Sequence, residues 1–228
     1  TRAAMKASDL EETMNKVDAV FGDANQSIKD FARTAPDALG QTEQQALDAA
    51  TTFGVFGKAA GLAGQDLTGF SEELTVLSSD LASFYNEAPA AVIEALGAGL
   101  RGEAEPLRRF GVLLDDATLK AKAFEMGIYE GTGTLTQQQK VLAAQQVILA
   151  QTTDAQGDFL KTADGAANQL RIFKANEEQL QTEMGAALLP TLKSTVTAMS
   201  NMARLARENQ TTLKILVGAV AALSAAVI

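Results

Sequence analysis

The sequence predicts an all-α fold, with a head of short helices joined by Gly- and Pro-containing turns followed by long amphipathic helices of coiled-coil-like spacing. Three observations predict it. Between Leu67 and Phe84 the apolar residues Leu67, Phe70, Leu74, Leu77, Leu81 and Phe84 are spaced 3,4,3,4,3, which sets them on one stripe of a helix and fits no strand. A second stripe, Leu170, Phe173, Glu177, Leu180, Met184, Ala187, Leu192, Val196, Met199 and Met202, keeps near-heptad spacing. The 228 residues are 46% hydrophobic and 21% charged with four prolines, enough for a compact globule to bury about 70% of its unfolded surface.

Leu10, Met14, Val17 and Phe21 open the series, with Ser8 and Glu11 in capping-box spacing at the expected start. Ile28 and Phe31 continue helically until Pro36, where the next helix is expected to stop. A helix from Thr42 to about Ala60 turns Ala46, Ala49, Phe53 and Phe56 to one side; Gly54, Gly57, Gly61 and Gly64 are expected in flexible or close-packing turns. Asn86 is expected to cap a short helix with Pro89 in its first turn and Val92, Ile93, Leu96 and Leu100 facing inward. Asp116 opens another, through Leu119, Ala123 and Met126, closed by Gly127; residues 128–134 read as a loop. Leu135 to Thr152 is a Gln-rich amphipathic helix. A longer one starts near Asp164, and Pro190 is expected to kink it without ending it. Straight from 164 to 208, it would measure about 68 Å, longer than a compact domain of this size. The expected organisation is a helical head over 1–134, a rod over 135–210 and the start of an apolar helix over 211–228, either a buried terminal helix or a membrane-grade segment cut short. From Ile215 the run ILVGAVAALSAAVI carries no charge but is shorter than the roughly 20 residues of a bilayer span. It ends in mid-pattern, and the front shows no secretory leader, so the chain is expected to be a piece of a longer protein.

Composition narrows the chemistry. A net charge of −9 and a pI near 4.6 oppose a grip on nucleic acid, which needs a cationic face. With no Cys and no His, disulfides, thiolate nucleophiles, Cys/His zinc sites and imidazole triads are excluded. GAGLRG at 97–102 has the dinucleotide spacing GxGxxG, with Asp115 and Asp116 near the expected acid, but it follows a helical pattern and Pro106 falls inside the helix that would hold the phosphates. Acid pairs such as Glu72/Glu73, Glu103/Glu105, Asp115/Asp116 and Glu177/Glu178 fit solvated faces better than a glycosidase, with no Trp to form a sugar platform. Asn25 and Asn209 begin N-x-Ser/Thr triplets by chance. Gly57-xxx-Gly61 reads as a turn, while Gly218, Ala222 and Ala226 have close-packing spacing. No catalytic, cofactor or metal residue is expected. The candidate residues are for helix packing and interaction: Leu67, Phe70, Leu74, Leu77, Leu81, Phe84, Leu170, Phe173, Leu180, Met184, Leu192, Val196 and Met199. The long stripe needs a partner, either the rest of the chain or copies of itself.

Read together, LSSDLASFYN (77–86), EALGAGLRGEAEPLRRFGVLLDDATLKAKAFEMG (94–127), LTQQQKVLAAQQVILAQTTDAQGDFLKTADGAANQLRIFKANEEQLQTEMGAALLP (135–190) and the opening DLEETMNKVDAVFG (9–22) resemble the conserved domain of phage tail tape measure proteins, also called phage minor tail proteins. The resemblance covers roughly residues 8–200. It implies a structural virion protein, a long helical chain around which the tail tube polymerises and whose length sets the tail's. It further implies a place in the tail lumen and tip, ejection ahead of the DNA toward the host envelope, and self-association, as trimers in the tip. The implied partners are tail tube, distal tail and tip proteins, tail assembly chaperones and, on ejection, the host membrane, with no sequence-specific nucleic-acid binding. Even fully helical, 228 residues reach only about 340 Å, so this piece cannot itself measure a tail. The acidic balance suits a chain that shares a conduit with DNA. Two rival functions are a membrane-active translocation module and a Glu-dependent peptidoglycan hydrolase.

Overall fold

The computed structural model describes residues 2–208, and among these every regular element is a helix. In chain order they are α1 (Arg2–Phe21), a 3-10 turn at Gly22–Ala24, α2 (Asn25–Leu39), α3 (Glu43–Ala59), α4 (Gly64–Phe84), α5 (Pro89–Arg101), a second 3-10 stretch at Glu105–Phe110, α6 (Asp116–Glu125), α7 (Gln137–Gln151), α8 (Asp158–Lys161) and α9 (Ala166–Glu208). Residues Asp9–Gln181 form one compact unit; those up to Ser8, with those from Thr182 on, form another. The expected apolar segment over 211–228, with its Gly218/Ala222/Ala226 line, and Asn209 lie outside the described residues.

Polar side chains at the helix starts explain several boundaries. Thr42 accepts the backbone N–H of Gln45 while the Gln45 side chain accepts that of Thr42, and Thr136 and Gln139 do the same at α7; each box satisfies two of the donors a helix start leaves open. At α6 the cap is Asp115, one residue before the expected start, accepting from the Thr118 N–H, and Gly127 closes the helix in the left-handed region as expected.

Three expected boundaries are corrected. Ser8 starts nothing, because α1 is already helical from Arg2. Pro36 does not stop α2; it sits buried near the end of the helix, and the turn closes four residues later at Gly40, whose N–H reaches the Ala35 carbonyl. Losing one N–H so close to the end removes a single bond, which burial of the ring offsets. Asn86 does not cap α5. It takes a left-handed φ of 53° just past α4, and Ala88 is the cap position before Pro89.

The core of the Asp9–Gln181 unit is built around α4, which packs against α2, α3, α5 and α8. Its stripe Leu67, Phe70, Leu74, Leu77 and Leu81 is buried, and only Phe84 at its end is largely exposed. Beside the stripe runs a second buried line, Ser71, Thr75 and Ser78, each hydroxyl donating to a carbonyl one turn back, so the helix is enclosed on more than its apolar side. Gly54 and Gly57 prove to lie inside α3, where they allow close packing: a Cβ on Gly54 would fall 2.5 Å from the Phe21 ring. Gly61 lies past the helix end, so Gly57 and Gly61 form no helix-pairing motif. In the other unit Ala4, Ala7 and Thr182 are buried, and a Cβ on Gly185 would overlap the Ala3 carbonyl, so α1 and α9 approach through small residues.

Candidate interaction site

The candidate residues divide between core and surface. Those of α4 are packing residues, Phe84 apart; those of α9 are exposed.

Within the Asp9–Gln181 unit, α9 turns a polar line inward. Asn168 is buried and donates to Ser83 Oγ and Thr162 Oγ1, both at 2.8 Å. Arg171 donates to Asn168 Oδ1 (2.6 Å), to the carbonyls of Ala82 (3.2 Å) and Glu87 (3.3 Å), and to Asn86 Oδ1 (3.3 Å). The Ala82 carbonyl belongs to the last turn of α4 and also accepts the Glu87 N–H (2.9 Å), so the guanidinium adds a second donor at that helix end. One turn further Ala175 is buried, Asn176 donates to Asp37 (2.9 Å), and Gln179 and Glu43 exchange two hydrogen bonds. The helix is held to its neighbours by hydrogen bonds with little apolar burial. Its opposite side carries Leu170, Phe173 and Leu180, all more than half exposed, with Glu177 among them accepting from Gln181.

In the other unit, Met184, Leu188, Leu192, Val196, Met199 and Met202 of α9 are likewise exposed. Within each unit, its own described residues therefore leave its part of the stripe uncovered. Leu188 belongs to it, although heptad counting points to Ala187: the repeat drifts past Met184 toward the 3.6-residue period of a straight helix, and that drift is the signal that would have found it.

The acid pairs have structural partners. Glu72 accepts from Ser27, Glu73 from Gln145, Glu103 and Glu105 pair with Arg101 and Arg108, Asp116 pairs with Lys120, and the N–H of Thr118 holds the Asp115 carboxyl below its usual range. In the GAGLRG segment Gly97 and Gly99 lie inside α5, and Gly102 is its left-handed cap at φ 97°. Among the described residues no group of three or more acids gathers as a metal site, and no helix is long and apolar enough to cross a membrane.

Compared with family models, curated proteins and solved structures, the chain matches none of them.

Proposed function

We propose that the chain is a structural, non-enzymatic segment of a phage tail tape measure protein, in which the outer side of α9 pairs with the same helix of further copies, as a trimer in the tail tip. The observation that carries this reading is the exposed α9 stripe. At 38–68% exposure its nine Leu, Phe, Met and Val side chains present roughly 900 Å² of surface, counting roughly 150–230 Å² for a fully exposed side chain of this size. A stable interface buries about 800 Å² per partner. Near-heptad spacing is matched best by another helix of the same repeat. The resemblance to the tape measure family over residues 8–200 points the same way, and a helix converts residue count into length at a fixed rise, as a ruler requires. Tube and tip proteins are the further partners of this reading, with the tail lumen and, after ejection, the host envelope as its location.

The test is made in the full-length protein. Deleting 14 residues within 191–204, four helical turns, shortens the tail by about 21 Å at roughly 1.5 Å per residue, and duplicating them lengthens it equally. Tail length that does not change removes the ruler role from this segment.

A further inference from the structure

Glu177 is the one charged residue of the α9 stripe. It stands exposed between Phe173 and Leu180, and these two with Leu170 make the part of the stripe that belongs to the Asp9–Gln181 unit. In the single chain its carboxylate is open to solvent and accepts a hydrogen bond from Gln181 on the same helix. Among the described residues no cation pairs with it. Lys174 and Glu178 flank it on α9, and Lys174 makes no ion pair either. Arg171 is committed inward to the oxygens named above. Asp37 of α2 and Glu43 of α3 face the anchored side of α9, where Asn176 and Gln179 donate to them.

Pairing changes these surroundings. Copies related by a rotation bring each residue of a helical seam against its equivalents, so a trimer gathers three Glu177 carboxylates in one layer, with Phe173 and Leu180 in the layers on either side. Loss of water disfavours the charged form of a carboxyl, and like charges in the same layer disfavour it again; a bound proton relieves both. The Gln181 hydrogen bond is already made in the single chain, so it offsets none of this cost. The assembled state therefore holds the proton more tightly than the free chain, and association strengthens as pH falls, by up to about tenfold per pH unit for each proton taken up.

We propose that Glu177 puts the pairing of α9 under proton control, the copies joining more tightly as this carboxyl takes up a proton. The inference rests on the self-pairing reading above. The chain has no His, the side chain whose ordinary change of charge falls between about pH 5 and 8, so few other groups titrate in that range. Asp48 and Asp80, whose carboxyls burial pushes above the usual range, lie on α3 and α4 and keep any contribution of their own in a Glu177 variant.

The experiment measures the association constant of the 228-residue chain by sedimentation equilibrium between about pH 7.5 and about pH 5.5 at fixed ionic strength. Wild type is compared with Glu177→Gln and with Glu130→Gln, which removes the same charge from an exposed loop. Glu177 is itself exposed, so its variant keeps the fold, as circular dichroism verifies. The constants of wild type and Glu130→Gln are expected to rise about tenfold or more as pH falls across this range. Glu177→Gln should associate about tenfold more tightly than wild type at the neutral end and change little with pH. A wild-type constant that does not change with pH, a Glu177→Gln chain that keeps the wild-type slope, or a Glu130→Gln chain that behaves like Glu177→Gln overturns the role of Glu177 and leaves the pairing of α9 standing. If neither wild type nor Glu177→Gln associates at any of these pH values, the pairing itself fails and the inference with it.

Discussion

Asp80 shows what single side chains do in this fold. It is buried on α4, and its two carboxylate oxygens accept the N–H groups of Gly157 (2.8 Å) and Phe159 (3.1 Å), tying the start of α8 to the central helix. Asp80→Ala leaves both donors without a partner, and the expected loss is about 2 kcal/mol in denaturant unfolding. Burial pushes the Asp80 carboxyl above its usual range, aided by Asp158 and opposed by the two N–H groups and Lys161. The folded state therefore holds this proton more tightly than the unfolded chain. The group's contribution to stability grows as pH falls through the folded value and is lost as pH rises through it. As pH falls from neutrality into the range where an ordinary carboxylate takes up its proton, the Tm of the wild type should rise relative to that of Asp80→Asn; a constant gap would contradict this. None of it was legible beforehand. An aspartate one residue before an apolar position looks like any solvated acid until the chain 77 residues on is known to bring its N–H groups to it. The same holds for Ser71, Thr75 and Ser78, whose polarity hides their burial because the hydroxyls bond within their own helix.

Helices were far more legible than single contacts, because burial of one side imposes a period that composition cannot disguise. The 3,4,3,4,3 spacing of α4 located both the helix and its core stripe. The ends were read less well where a breaker acts differently by position: Pro36, in the last turn of α2, costs too little to end it. Thr136 with Gln139 is a clear signal by contrast, and Thr136→Ala should destabilise the chain by about 1 kcal/mol in thermal or denaturant unfolding. In α9 the positions of the stripe were legible and the direction it faces was not. Period alone cannot tell a helix that turns its apolar side to its own core from one anchored through Asn168, Arg171 and Gln179 with that side outward. Phe173→Ser with Leu180→Ser removes exposed apolar surface without opening a cavity, so the unfolding free energy should stay within about 0.5 kcal/mol of wild type. A loss of several kcal/mol would mean that these residues are core.

At the scale of the molecule, the features that matter are an acidic, helical chain and one long helix with an uncovered apolar side. Net charge of −9 makes copies repel at a distance, while roughly 900 Å² of exposed side chains on each α9 draws them together on contact, so association should strengthen with added salt as the charge is screened. The most direct test of the central claim is sedimentation equilibrium of the chain and of its Phe173→Ser/Leu180→Ser/Met199→Ser variant. Concentration-dependent oligomers are expected for the wild type, and a monomer with an unchanged helical spectrum for the variant. A wild type that stays monomeric into the hundreds of micromolar, or a variant that associates equally well, would contradict it.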